Sequence, residues 1–165
     1  MQGRLVAAAA LALLNFTATP AFAAPGGNYL QNALEDRGRC LGTAGPGVAM
    51  MDCDQSPAQQ WFLTPGDVPG SSKYHTAADG EAICLAVHPN DRKNTLSMEA
   101  CSQADNQQWF FEYAERQNGG RVMRLSNRET GATRCLEAVQ TGMRMTPCLR
   151  RQSGHLWQSN YEPTM

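Results

Sequence analysis

Three stretches of the chain alternate apolar and variable positions and end at a cysteine. Val48 and Met50 stand five and three residues before Cys53, Leu96 and Met98 before Cys101, and Met143 and Met145 before Cys148. The positions next to them hold Ala49 and Met51, Ser97 and Glu99, and Arg144 and Thr146, with no common character. An apolar period of two predicts a strand with one face inward, and the methionines on that face read as core filling. Upstream of each stretch lies a short strand-like run: 29–34, 73–76 and 122–125. Each run is followed by a polar turn carrying a glycine (Gly38, Gly80, Gly131) and then by Cys-Leu at Cys40-Leu41, Cys84-Leu85 and Cys135-Leu136. A run, a glycine turn and a second run predict a hairpin. Downstream of the second cysteine a polar loop leads to a tryptophan that opens a fourth strand, as in Trp61-Phe62-Leu63 and Trp109-Phe110-Phe111.

The three tryptophans, Trp61, Trp109 and Trp157, are evenly spaced, and each follows the second cysteine of its unit (Cys53, Cys101, Cys148) at a nearly constant interval. A fixed period of this size marks a chain built from repeated units, placed here at about residues 28–66, 67–115 and 116–162. Four short strands per unit and no helical periodicity predict an all-β, barrel-like closed fold with pseudo-threefold symmetry, because one unit cannot bury its own apolar face and three together can. The glycine-rich and polar segments 65–72 and 114–120 read as surface loops within one domain rather than as linkers.

Composition narrows this picture. Segment 1–23 carries Arg4, an apolar run from Leu5 to Phe16 and an Ala21-Phe22-Ala23 cleavage signal, the pattern of a secretory signal peptide. The run is too short to span a bilayer. Cleavage near Ala23 leaves segment 24–165, one domain's worth, expected outside the cytoplasm in the periplasm or the medium. Of the 14 basic and 15 acidic residues only Arg4 is lost with the signal, so the remainder is nearly balanced and has no electrostatic footprint for nucleic acid or an anionic membrane. Six cysteines in a secreted chain point to disulfides. Of the 15 possible pairings, the repeat makes one bridge per unit the simplest: Cys40–Cys53, Cys84–Cys101 and Cys135–Cys148. Zinc is the poorer reading, since there is no Cys-x-x-Cys and the three histidines are scattered. No metal or other cofactor is expected. The nucleophile-elbow, zincin and phosphate-loop motifs are all missing, so the chain is expected not to be an enzyme.

Three units of Cys-Leu, a second Cys and Gln-x-Trp (Gln59-Gln60-Trp61, Gln107-Gln108-Trp109, with His155-Leu156-Trp157 as the altered third copy) resemble the ricin B-type lectin family. The resemblance implies a β-trefoil whose repeats bind carbohydrate at shallow sites, each with a carboxylate after Cys-Leu, an aromatic near the second Cys and an Asn just before Gln-x-Trp. Charge-assisted hydrogen bonds and ring packing are the chemistry such a site needs. No unit here is complete. The first has Gly42 and Ala58 at the acid and amide positions. The second has Ala86 but keeps Asn106. The third has Glu137 but Gly154. None carries an aromatic two residues before the second Cys. The candidate ligand contacts are therefore Glu137 and Asn106, with Asp91 and His88 as substitutes in the second unit and Gln140 and Arg144 in the third. Gln59, Trp61, Gln107, Trp109, His155 and Trp157 are expected to hold the core. Two functions follow. One is a secreted module that recognises glycans or glycoproteins. The other is a non-catalytic interaction or cell-targeting subunit of a secreted toxin, resembling the accessory subunits of cytolethal distending toxin, with a protein partner and its sugar sites largely lost.

Overall fold

A computed structural model of the protein describes residues 27–33, 38–89, 94–117, 120–139, 142–149 and 153–159. The signal-peptide segment, Asp91 and Gln140 lie outside them. Twelve strands follow one another in chain order: β1 (Leu30–Asn32), β2 (Arg39–Ala44), β3 (Gly47–Asp52), β4 (Trp61–Pro65), β5 (Ser72–Thr76), β6 (Ile83–His88), β7 (Thr95–Ala100), β8 (Trp109–Gln117), β9 (Gly120–Asn127), β10 (Gly131–Val139), β11 (Gly142–Pro147) and β12 (Trp157–Ser159). The alternating stretches become β3, β7 and β11, and every tryptophan opens a strand, as the pattern predicts. A single 3₁₀ turn precedes each tryptophan: Pro57–Gln59, Asp105–Gln107 and Ser153–His155.

Six strands form a closed ring of antiparallel neighbours, β4-β5-β8-β9-β12-β1, and a bridge between Asn28 and Trp61 brings β1 back to β4. The other six make three hairpins, β2–β3, β6–β7 and β10–β11, each with a six-pair register. The hairpins meet one another over one end of the ring. Six barrel strands capped by three hairpins, with the same order in each third, is a β-trefoil.

The threefold repeat can be read in single hydrogen bonds. The Trp61 indole N–H donates to the Leu41 carbonyl at 2.7 Å, Trp109 to Leu85 at 2.8 Å and Trp157 to Leu136 at 3.0 Å. All six of these residues are fully buried, so the Leu of each Cys-Leu and the Trp of its own repeat form one core contact with its polar atom satisfied. Between repeats, the carbonyl before each tryptophan accepts a backbone N–H from the next repeat: Ala77 to Gln60 (2.9 Å), Arg128 to Gln108 (3.0 Å) and Ala33 to Leu156 (2.9 Å). The last of these joins the third repeat to the first. The three expected bridges, Cys40–Cys53, Cys84–Cys101 and Cys135–Cys148, pin the hairpin ends.

Gln59 and Gln107 act within their own repeat rather than between strands of different ones. Gln59 donates to Asp52 O and accepts from Asp54 N–H, so it clamps the two residues that flank Cys53. Gln107 makes the same pair of bonds around Cys101, with Ala100 O and Ser102 N–H. His155 keeps half of this device, accepting the Leu149 N–H at Nδ1 beside Cys148, and turns its other nitrogen to Thr146.

The second repeat departs from the expected hairpin before Cys-Leu. Among the described strands β6 pairs only with β7. The turn after β5 is drawn tight by Thr76, whose hydroxyl donates to Asp79, and by Gly80 at φ +74°, a conformation glycine adopts without steric cost. The His75 ring takes the place of a ladder, its Nδ1–H donating to the Ile83 carbonyl at 2.9 Å.

Candidate functional site

Each acid position follows its Cys-Leu into a hairpin strand, and each amide position lies on the 3₁₀ turn before the tryptophan, so the fold brings the two together once per repeat. In the first repeat the space is filled: a Cβ on Gly42 would stand 2.9 Å from both the Gln59 side chain and the Met51 sulfur. In the third repeat Glu137 is only 3% exposed. Its Oε2 accepts from Arg144 Nε at 2.9 Å and from the Thr146 hydroxyl at 3.1 Å. Gly154 gives it room, since a Cβ there would come within 3.1 Å of Glu137 Cγ and 2.8 Å of the Ala138 carbonyl. The expected carboxylate is therefore turned inward and tied to Arg144, which remains half-exposed.

The third repeat thus contains a directed chain. Leu149 N–H donates to His155 Nδ1, so that nitrogen carries no proton. The ring then donates from Nε2 to the Thr146 oxygen at 2.6 Å, and Thr146 donates to Glu137. Burial holds the pKa of His155 below the ordinary histidine value, with Glu137 pulling the other way. His75 is also lowered, again mainly by burial; its Nε2 accepts from the Thr64 hydroxyl and its ring stacks on Phe62. An unfolded histidine titrates near pH 6.5. Below that pH the unfolded chain binds protons that the folded one refuses, so this stability is complete above about pH 6.5 and declines as pH falls from there to the folded values. Thermal denaturation from pH 7.5 to 4.5 should show this decline. His155→Gln, which copies the residue of the other two repeats, should flatten it; an unchanged slope would mean that His155 contributes nothing to it.

The second repeat opens a cleft near its amide. Val87, His88 and Pro89 at the end of β6, Ala104, Asp105 and Asn106 on the 3₁₀ turn, and Glu129 on the turn between β9 and β10 enclose about 280 Å³, close to the lower end of the range of roughly 300–1,000 Å³ for small-molecule sites. Asn106 Oδ1 is shielded from solvent and has no hydrogen-bond partner among the described residues, and an unmade bond of this kind costs about 1–3 kcal/mol. The acid position, Ala86, precedes Val87 in β6 and is fully buried. His88, one of the candidate substitute contacts, lines the cleft, with Nε2 2.5 Å from Glu99 and 2.7 Å from Ser97 Oγ. Both partners share one ring nitrogen, unlike a catalytic relay, in which the base and its orienting acid use opposite nitrogens. Asp105 pairs with Arg128 at 3.0 Å. Reading the sequence unit by unit misses Asp105 and Glu129, and Glu129 belongs to the neighbouring repeat.

Two other places concentrate distinctive side chains. His75, Cys84 and Cys101 lie within 4.8 Å of one another, but the two sulfurs are joined to each other and the histidine nitrogen facing them is donating to Ile83, so the arrangement is a disulfide packed on an imidazole. At the end of the barrel away from the hairpins, Leu30, Trp61, Leu63, Tyr74 and Met123 line an apolar opening of about 20 Å³, room for about one water. Phe111 and Tyr113 stand at its edge, edge-to-face at 5.6 Å and 36% and 45% exposed. No helix among the described residues is long and apolar enough to cross a membrane.

Architecture, repeat chemistry and the cleft beside the Asn106 amide place the protein in the class of β-trefoil lectin domains. Its sequence matches the ricin-type beta-trefoil lectin domain over residues 27–133. The chain belongs to that family. No curated protein matches its sequence. Among solved structures it is similar to the designed threefold-symmetric protein ThreeFoil (19% identity, 81% of this chain and 97% of that one, TM-score 0.64). It is also similar to SeviL bound to asialo-GM1 saccharide (16% identity, 84% and 99%, TM-score 0.60). A third likeness is to a mosquitocidal holotoxin (16% identity, 81% of this chain, TM-score 0.65), of which this chain spans only 17%. At these identities the likeness establishes the fold.

Proposed function

We propose that the protein is a carbohydrate-binding module that works through the second-repeat cleft. The observation that carries this reading is Asn106: the amide at the family's ligand-facing position borders the cleft and has an acceptor with no partner among the described residues. Rotation of that amide would offer the acceptor to a sugar hydroxyl, and the bond formed would remove the penalty of leaving it unmade. Pro89, half-buried at the cleft, supplies apolar surface for a ring face. The glycan-binding family and the SeviL complex support the class of ligand. Secretion belongs to the same reading, because three disulfides suit an oxidising compartment. Glycan-array binding by the chain lacking segment 1–23, compared with Asn106→Ala, tests it. Binding to at least one glycan, weakened about tenfold or more by the substitution, is expected. No binding by the unsubstituted protein would overturn it.

The exposed Phe111–Tyr113 pair favours a second reading, attachment to a protein partner such as a toxin component, since aromatic residues are enriched at the centres of protein interfaces. Retention of a single secreted protein by the wild type and its loss with Phe111→Ser/Tyr113→Ser would support that reading; equal retention would remove it.

A further inference from the structure

We infer that Glu129, from the third repeat, supplies the ligand-binding carboxylate that the second repeat lacks at Ala86, and that the cleft therefore selects uncharged glycans over those ending in a carboxylate. The inference rests on the carbohydrate reading. Ala86 is fully buried, so the strand that runs into the cleft offers no acid at the expected place. Glu129 borders the same cleft from the neighbouring repeat. It is exposed and its carboxylate has no ion pair or side-chain hydrogen bond among the described residues.

Its position is not that of a loose surface residue. The turn that carries it is fastened to the 3₁₀ turn of the second repeat at three points. Asn127, fully buried, donates from Nδ2 to the Asn106 carbonyl at 2.9 Å and accepts the Glu129 N–H at Oδ1 at 3.0 Å. Arg128 N–H donates to the Gln108 carbonyl, and the Arg128 guanidinium pairs with Asp105. One buried asparagine thus holds the backbone of both cleft residues, so the spacing of the two backbones is set by the join between repeats. This preorganisation limits the ordering cost that a shallow site otherwise pays on binding.

The charges at the cleft point to the class of ligand. Asp105 is neutralised by Arg128, and His88 faces Glu99. Among the described residues Glu129 is left as the cleft charge without a partner, and no Lys or Arg lines the cleft. A free carboxylate accepts strong, charge-assisted hydrogen bonds from vicinal hydroxyls and repels a ligand carboxylate.

The test uses a panel of neutral oligosaccharides and their sialylated counterparts, titrated against the wild type, Glu129→Gln and Asn106→Ala. Glu129→Gln keeps the shape at an exposed site, and far-UV circular dichroism checks that each variant is folded. The wild type should bind its best neutral glycan about tenfold or more tighter than the sialylated form. Glu129→Gln should weaken the neutral glycan about tenfold and narrow the ratio between the two. Neutral binding unchanged in Glu129→Gln but lost in Asn106→Ala would overturn the assignment of Glu129 and leave the carbohydrate reading standing. Equal or tighter binding of sialylated glycans by the wild type would overturn the selectivity. Binding of no glycan at all would overturn the carbohydrate reading and this inference together.

Discussion

Trp109→Ala should lower the unfolding free energy by about 3–5 kcal/mol, the usual cost of emptying a large aromatic site in a core. The indole is fully buried and meets Tyr74 edge-on at 6.5 Å. Its N–H is also the partner of the Leu85 carbonyl, so the substitution leaves a cavity and a buried acceptor without its bond. Set against a total of about 5–15 kcal/mol for ordinary domains, this single change takes about a fifth or more of the stability. Urea denaturation at neutral pH measures it directly. Trp109→Phe separates the two parts, since it refills much of the space and still orphans Leu85 O, which alone costs about 1–3 kcal/mol. If Trp109→Phe proved as stable as the wild type, the hydrogen bond repeated in every third of the fold would be incidental. Because the same contact recurs at Trp61 and Trp157, their alanine variants should fall in the same range.

Replacing both cysteines of the second repeat by alanine should cost about 3 kcal/mol, within a usual range of roughly 2–5. The Cys84–Cys101 bridge has a sequence separation of 17, against 13 for each of the other two. Its main effect is on the unfolded chain, which gains freedom once the loop is open. Two readouts should therefore move together: the denaturation midpoint should fall, and the dependence on denaturant should steepen as the unfolded ensemble exposes more surface. Alanine is the right replacement, because Cys84 is fully buried beside His75 and a serine hydroxyl there would need a partner. A lowered midpoint with an unchanged slope would place the effect in the folded state, in the packing against His75.

Much of the architecture was legible in the chain because it is written three times. Alternation before Cys53, Cys101 and Cys148 gives β3, β7 and β11, and the even tryptophan spacing gives the threefold closure. The bridges followed from the same register. The site was harder to read. Glu137 occupies the expected acid position, yet Gly154 makes space for it to fold inward onto Arg144 and Thr146, a packing outcome that no spacing rule contains. Asn106 was legible from its place before Gln-x-Trp. Glu129 was not, because it lies well beyond Asn106 in another unit, and only the pairing of Asn127 with the Asn106 backbone brings it to the cleft. The missing ladder between β5 and β6 had no signal either: His75 looks like any strand residue until its ring is seen to bond across the turn to Ile83.

The bond from Ala33 N–H to the Leu156 carbonyl and the pairing of β1 with β12, in which Leu30 lies opposite Ser159, treat the junction between third and first repeats like the other two. The place where the polypeptide starts is then physically arbitrary. A circular permutant of residues 27–159, with Gly27 and Ser159 joined by a short linker and new ends opened in the exposed stretch between β4 and β5, should fold to the same barrel, as cuts at surface loops generally allow. The cleft, made by the second repeat and the opening turn of the third, would remain on uninterrupted chain.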